Sequence, residues 1–407
     1  MALTPNVAWS QDALHSAVAA DRSYKLRSAP LQYPQEYHVI GALSYRLGVS
    51  YSLEWLDNVF NTSTNKQSDF LHTPQFDIDA RWQVTKESML HFGTGVSYRK
   101  YQDTKSQDRL GVTPSSELAW DIRVQDWVFT VYDRFSYTQD VISQASLAGV
   151  ASFPRLENTA GLRTSWRPNR FGLQMGYGHV NNFTSQVQDQ ANARIDRGDH
   201  TSEQFFSRAG YSIAPQTEVG LEVSGGLTDY SEVAQSDNQS ISVGPFLDWQ
   251  LTQKLSLDLR GGFVRYHFDP STLRANSDNK NSYYAGASVR YQLTQHITES
   301  LEVEKQIQQG LNQGSQFIEE TSIRNAINWA FHRHASFGTD VFYTRGKEPQ
   351  LALEERYNQL GIGTTFRYEL TKNLAPSLRY TYARRNSNQS SRDYAVNSIV
   401  FSISYRF

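Results

Sequence analysis

The chain closes on Phe401-Ser402-Ile403-Ser404-Tyr405-Arg406-Phe407, a strict alternation of apolar and polar residues ending in an aromatic side chain. Successive side chains of a strand point to opposite faces, so this segment has one greasy face and one wet face. The same two-residue period returns along nearly the whole chain, which constrains the fold more than any single motif. Eighteen such segments can be read: 43–55, 76–84, 90–98, 118–124, 127–137, 160–166, 171–179, 205–213, 219–227, 241–251, 255–263, 283–293, 297–307, 323–331, 337–343, 360–370, 378–382 and 399–407. Their spacing, roughly 20 residues, is what a tilted membrane strand plus its connection needs.

Composition is consistent with that reading. With 407 residues, a formal charge of −2 and a mean hydropathy of −0.57, the chain has no apolar run long enough for a membrane helix. A barrel escapes such a test because each lipid-facing residue is diluted by a lumen-facing polar one. Cysteine is absent, which excludes disulfides and thiolate metal sites and suits passage through an oxidising periplasm. The first five residues, Met1 to Pro5, lack the charged and apolar regions of a secretory leader, as a mature barrel with an added initiator Met would.

The connections alternate in length. Tight links such as 84–88, 124–126, 252–254 and 371–373 are interleaved with polar stretches such as 61–69, 139–156 and 181–202. Short periplasmic turns and longer extracellular loops are the pattern of an all-β, transmembrane, antiparallel up-and-down barrel. The aromatics decide which face meets lipid. Trp82, Trp120, Trp127, Trp166, Trp249 and Trp329 sit on the apolar face beside tight turns, and Trp55 joins Tyr51, Tyr98, Tyr137 and Tyr343 toward the long loops. A bilayer collects Trp and Tyr at its interfaces in this way.

The other face is then the lumen. It carries Arg46, Arg81, Arg99, Arg123, Arg134, Arg163, Arg208, Arg260, Arg290, Arg324, Arg367, Arg379 and Arg406, interleaved with Asp77, Asp79, Glu117, Asp121, Glu218, Glu222, Asp248, Asp258, Glu302, Glu304, Asp340 and Glu369. Such charges either form ion pairs along the wall or, unpaired, draw anionic solutes. Tyr132, Tyr266, Phe246 and Phe342 also face inward. No strand's lipid face is read as polar, so a monomer is expected. The terminal aromatics Tyr405 and Phe407 are the expected signal to the barrel assembly machinery.

Residues 1–37 lack the alternation and form a separate N-terminal segment before the barrel at 38–407. Ser10 could cap a short helix over 9–18, and 31–35 reads as extended linker, so this segment is a periplasmic tail, a plug or a docking peptide.

The run 47–60, Leu-Gly-Val-Ser-Tyr-Ser-Leu-Glu-Trp-Leu-Asp-Asn-Val-Phe, resembles the opening of the β-barrel porin type 2 family, and more loosely that of eighteen-stranded exopolysaccharide exporters such as the alginate exporter. Leu56 stands where an acidic residue is more usual. The resemblance implies an outer-membrane channel and, in some relatives, the exit route of a secreted polysaccharide with a periplasmic export partner. None of the long loops exceeds about 22 residues, so a constriction loop is not evident, and a wide bore for a polymer or oligosaccharide is expected. A general diffusion porin and a non-conducting structural or adhesive barrel are the alternatives. The ten histidines are scattered and no nucleophile–base grouping is apparent, so no enzyme and no cofactor are expected. His332 and His334 flank one turn without an evident third metal ligand. Lys plus Arg at 39 against 41 acids leaves no basic patch for nucleic acid.

Overall fold

The computed structural model describes residues 37–114, 116–138, 155–184, 199–232, 235–273, 276–309, 315–349 and 354–407. The helix, linker and plug expected within 1–36 lie outside them.

The strands are β1 (His38–Ile40), β2 (Leu43–Leu56), β3 (Asp69–Thr85), β4 (Ser88–Tyr101), β5 (Arg109–Val112), β6 (Glu117–Val124), β7 (Trp127–Thr138), β8 (Arg155–Trp166), β9 (Phe171–Thr184) and β10 (His200–Ala214). They continue with β11 (Thr217–Tyr230), β12 (Asn238–Thr252), β13 (Leu255–Phe268), β14 (Asp278–Gln292), β15 (Ile297–Gln309), β16 (Phe317–His332), β17 (Ala335–Pro349), β18 (Glu354–Tyr368), β19 (Leu374–Ser387) and β20 (Tyr394–Arg406). Except for β5 and β6, which do not pair with each other, each pairs antiparallel with its sequence neighbours, and β2 closes on β20 from Gly48↔Arg406 to Leu56↔Ser398. Because β5 and β6 share the place between β4 and β7, and the three-residue β1 pairs with Leu43 to Tyr45 of β2 in line with β20, which pairs with β2 from Gly48 on, the result is a closed barrel of eighteen strands.

Every segment read from the alternation falls on one of these strands, but the strands are longer. β3 begins at Asp69 and not at Phe76, and β19 runs from Leu374 to Ser387 and not only over 378–382. Above the bilayer both faces are wet, so alternation is no longer required: on β19 Arg384 and Asn386 point outward while Ala383 and Arg385 point inward and are fully buried. At the turn side, Leu293 and Leu370 lie just past the ends of β14 and β18. The stretch between Tyr98 and Leu118, expected as a connection, contains β5. The chain leaves the ladder at Thr113 and Pro114 and rejoins it at Glu117, a bulge held by Thr113 N–H on the Gly95 carbonyl (2.9 Å) and by the hydroxyls of Thr94 and Ser116 (2.9 Å).

Four of the tight turns use one device. Thr85, Thr252, Thr294 and Thr371 each end or follow a strand, and their hydroxyls accept the N–H two or three residues on: Glu87 (3.2 Å), Lys254 and Leu255 (both 3.1 Å), His296 (3.1 Å) and Ile297 (3.0 Å), Asn373 (3.2 Å) and Leu374 (3.0 Å). Gln83 and Gln250 add a second layer, each amide donating to the carbonyl of the turn threonine at 2.6 Å.

Candidate pore and its two mouths

The two faces of the wall differ in chemistry. Val131, Leu162, Leu221, Ile241, Phe263, Leu360 and Phe401 stand 46–76% exposed on the outer face. Among the tryptophans expected at the turn-side interface, Trp82, Trp120, Trp249 and Trp329 are 40–50% exposed there, and Trp127 stacks on Trp166 at 5.2 Å. Trp55 is at the opposite, loop-side end of β2. Tyr405 and Phe407 pack edge-to-face at 4.9 Å on the outer face, where the Phe407 N–H bonds the Leu47 carbonyl at 2.9 Å. The outer face is not uniformly apolar, contrary to the expectation that supported a monomer. Asn158 on β8 donates to Asp133 on β7 (2.7 Å), and Asn325 on β16 donates to Glu299 on β15 (2.9 Å). Each of these polar groups is satisfied within the same barrel.

On the inner face, rings lie flat against the wall where the neighbouring strand offers glycine. A Cβ on Gly361 would stand 2.1 Å from the Phe342 Cζ, one on Gly220 2.6 Å from Phe246, and one on Gly161 2.7 Å from Tyr132. Guanidinium groups cover the same rings: Arg208 over Phe246 at 3.5 Å, Arg134 and Arg163 over Tyr132 at 5.1 and 5.2 Å, and Arg324 over Phe342 at 6.0 Å.

Five of the inward arginines are joined to carboxylates. Across strands, Arg208 meets Asp248 at 2.8 Å, Arg379 meets Asp340 at 2.9 Å, Arg134 meets Glu117 at 3.8 Å and Arg260 bonds Glu304, while Arg81 meets Asp79 of its own strand at 3.5 Å. Two of these pairs reach over an intervening glycine, Gly286 beneath Arg260 and Gly363 beneath Arg379 and Asp340. Arg324 lies beside Glu302 and feels both that carboxylate and Asp340, so a ribbon of alternating charge crosses β15 to β19. Asp77 accepts from Gln75 (2.7 Å), Asp121 from Thr130 (2.5 Å), Glu222 stands opposite Arg208, and Asp258 stands opposite Asp248. Glu218 bonds Arg167 at 3.0 Å. Arg46, Arg99 and Arg406 are engaged as well. Arg123, Arg290 and Arg367, near the turn-side mouth, have no ionic partner among the described residues, and Glu369 is exposed just past β18. His332 and His334 sit 5.7 Å apart in their turn, and the described residues contain no cluster of three potential metal ligands.

The loop-side mouth holds what the sequence reading missed. The connection 57–68 folds inward. Val59 (2% exposed) and Phe60 enter a cluster with Leu56, Leu71, Tyr101, Phe342, Ala383, Tyr394 and Val396, all from the inner faces of β2, β3, β4, β17, β19 and β20. Asn58, 1% exposed, pins this loop by donating to the carbonyls of Thr62 (2.9 Å) and Ala395 (3.0 Å) and accepting the Thr62 N–H (3.1 Å). Asp57 accepts both the N–H (2.7 Å) and the side-chain amide (2.6 Å) of Asn397. Beside it, Arg385 and Glu355, both without exposure, pair at 2.7 Å, and Arg392 (2.9 Å) and Ser387 (2.7 Å) complete the carboxylate's shell. The signal was present in Asp57-Asn58-Val59-Phe60, an apolar pair following two capping residues in a connection that should otherwise be polar.

Likeness to known proteins follows the same architecture. OpdK of Pseudomonas aeruginosa, crystallised with vanillate, superposes with a TM-score of 0.51 at 11% identity, covering 89% of this chain and 99% of that one. A BenF-like porin from Pseudomonas fluorescens Pf-5 gives 0.51 at 12% identity over 89% and 99%. No curated protein sequence is significantly similar to this chain. The sequence profile described as "Putative beta-barrel porin 2" matches residues 43–407, the barrel from its first full strand to its last residue, and the chain therefore belongs to that family of outer-membrane barrels.

Proposed function

We propose that this porin-like channel is a passive route for small hydrated solutes, narrowed at its loop-side mouth by the connection between β2 and β3. The observation that carries the reading is that connection, since Val59 and Phe60 fill space above the lumen that a polymer would need. The charged inner wall supports a wet path, and selectivity in such a path comes from width and wall charge. Arg123, Arg290 and Arg367, near the turn side and without an ionic partner among the described residues, favour anions over cations, and ion pairs such as Arg208–Asp248 and Arg379–Asp340 stiffen the wall. Export of a polysaccharide, the reading that rested on an open bore, is the less favoured one, and a periplasmic export partner falls with it. Binding to the barrel assembly machinery through Tyr405 and Phe407 stays part of the proposal, as does a single barrel in the lipid of the outer membrane.

Liposome swelling with neutral sugars of rising mass tests this. Mono- and disaccharides should pass and longer oligosaccharides should not, while replacing residues 60–66 with two glycines should raise the limit. Passage of long oligosaccharides by the unaltered chain would restore the polymer route, and no swelling together with no ion conductance would leave a structural barrel.

A further inference from the structure

The ladder between β14 and β15 stops early. β14 pairs with β13 from Leu255↔Tyr291 to Phe268↔Asp278, yet it pairs with β15 only from Gln292↔Thr298 to Ala285↔Lys305. Among the described residues, Asp278–Tyr284 therefore have no strand on their second side. β15 goes on with β16 alone, from Gln306↔Glu320 to Gln309↔Phe317. Tyr283 and Val303, 53% and 37% exposed, are the last exposed large apolar side chains of the two strands toward the loops, so the break begins at the loop-side edge of the bilayer.

Beyond the break the two strands overlap. By the two-residue period, Ile307 belongs with the outward Val303, and Phe317 and Glu319 with the outward Ile323. Ile307 and Phe317 are nonetheless buried in one cluster with Val264 and Phe268, which share the inner face of β13 with Tyr266. Lys280, in register with the inward Tyr266, bonds Glu319 at 2.5 Å and stands 4.9 Å over the Phe317 ring. On the opposite face of the same hairpin, Ile318 packs with Tyr357 of β18. The upper end of the β15–β16 hairpin has thus passed inside β14, and side chains close the seam where the backbone ladder is missing.

Both sides of this seam carry the same chemistry. Outside, the Lys305 ammonium lies 3.4 Å from the Tyr283 ring centroid, next to Phe263, which is 76% exposed and paired with Tyr283. Inside, Lys280 stands over Phe317 and its apolar cluster. A point charge above apolar rings suits a molecule with an apolar body and an anionic head. The inner wall beside the break is cleared as well: Tyr284 lies back over Gly262 and Gly244, where a Cβ would stand 2.8 Å from its ring and 2.6 Å from its hydroxyl. The pair that holds the overlap is open to exchange, since Lys280 and Glu319 are partly exposed and such pairs hold weakly.

We propose that the seam between β14 and β15 is a lateral portal through which amphipathic anions, an apolar chain bearing one sulfonate or carboxylate, pass between the lumen and the loop-side leaflet. The anionic head takes the place of Glu319 on Lys280, which frees the hairpin end from β14. The portal rests on the channel reading for the lumen end of the route; entry into the seam does not depend on it.

The chain lacks cysteine, so Phe268→Cys/Phe317→Cys, at rings 6.0 Å apart across the overlap, can be bridged by a bifunctional methanethiosulfonate and released by reductant, with both lysines untouched. Vesicles holding refolded protein receive a dodecyl sulfonate with a diazirine in its chain, or the trimethylammonium analogue, and photolabelled residues are mapped by mass spectrometry. In the native protein and the released variant, the sulfonate should label Val264 and Ile307 inside the seam, and the ammonium analogue should leave them unlabelled. Closing the bridge should abolish these inner labels while those on Tyr283 and Phe263 persist. Inner labels that survive the closed bridge mean entry through a mouth and would overturn the portal, as would equal inner labelling by both probes or none in any form. Potassium chloride conductance reads the channel separately: if no form conducts, the channel reading fails, and the inner labels still decide the seam.

Discussion

The fit between Gly361 and Phe342 can be tested by adding one methyl group. In the native wall the phenyl ring lies on the glycine, and a Cβ at that place would stand 2.1 Å from Cζ and 2.4 Å from Cε1. Ordinary contact begins at 3.4 Å, so the ring must retreat by 3.4 − 2.1, about 1.3 Å, within the packed cluster it shares with Val59 of the infolded loop. Gly361→Ala should therefore destabilise the barrel by about 1–3 kcal/mol, the usual cost of overpacking a full site. In a Phe342→Ala background the same methyl has room, and Gly to Ala in a strand should then be neutral or favourable by up to about 1 kcal/mol. The coupling, about 2 kcal/mol, can be read from a double-mutant cycle of urea unfolding in detergent micelles, followed by tryptophan fluorescence. Gly361→Ala should also change the single-channel step, because the displaced ring pushes on the loop that narrows the mouth. Equal costs in both backgrounds would refute the reasoning, since the glycine would then serve the backbone and not the ring.

Further outcomes follow from other contacts. Arg123→Glu, at an exposed site without an ionic partner among the described residues, should shift reversal potentials toward cations and leave the unfolding midpoint unchanged. Arg324→Glu should instead destabilise the fold, because it sets a carboxylate beside Glu302 and within the field of Asp340. Arg385→Ala strands the fully buried Glu355 with only Arg392 and Ser387 and should cost about 3–5 kcal/mol, visible as a lowered thermal midpoint on heat-modifiability gels. Thr252→Val removes an acceptor shared by two turn N–H groups and should cost about 1 kcal/mol in the same unfolding assay, with no effect on conductance. Cross-linking in native membranes should recover single barrels, given that Asp133 and Glu299 already have their amide partners.

The legible part of this protein was the part the bilayer dictates. Between Trp82 and Phe76, or Trp249 and Ile241, one face must be apolar and the other need not be, and that contrast is local enough to read two residues at a time. Outside that band the requirement lapses. The outward Arg356 and Asn358 on β18 are as polar as their inward neighbours Glu355 and Gln359, so the strand's upper end left no pattern. The infolded loop was hidden for a different reason. Val59 is buried in one cluster with Tyr101, Phe342 and Ala383, residues far away in the chain that are brought together only when the barrel closes. Charge pairing was equally non-local: Arg208 and Asp248 are separated by β11, and nothing in either strand's own sequence specifies that reach.

The recurring threonine turns make the wall divisible. Thr252 and Thr294 sit at the starts of equivalent links, one hairpin apart, and each closes its link through its own hydroxyl without help from the strands beyond. Excising residues 253–294 would join Thr252 to Gln295-His296-Ile297, reproducing the native turn and setting β12 beside β15 in the correct antiparallel sense. A sixteen-stranded ring of about eight-ninths the girth is then one deletion away, since diameter scales with strand number. The hairpin, and not the single strand or the whole barrel, is the step by which such a lineage can change its caliber.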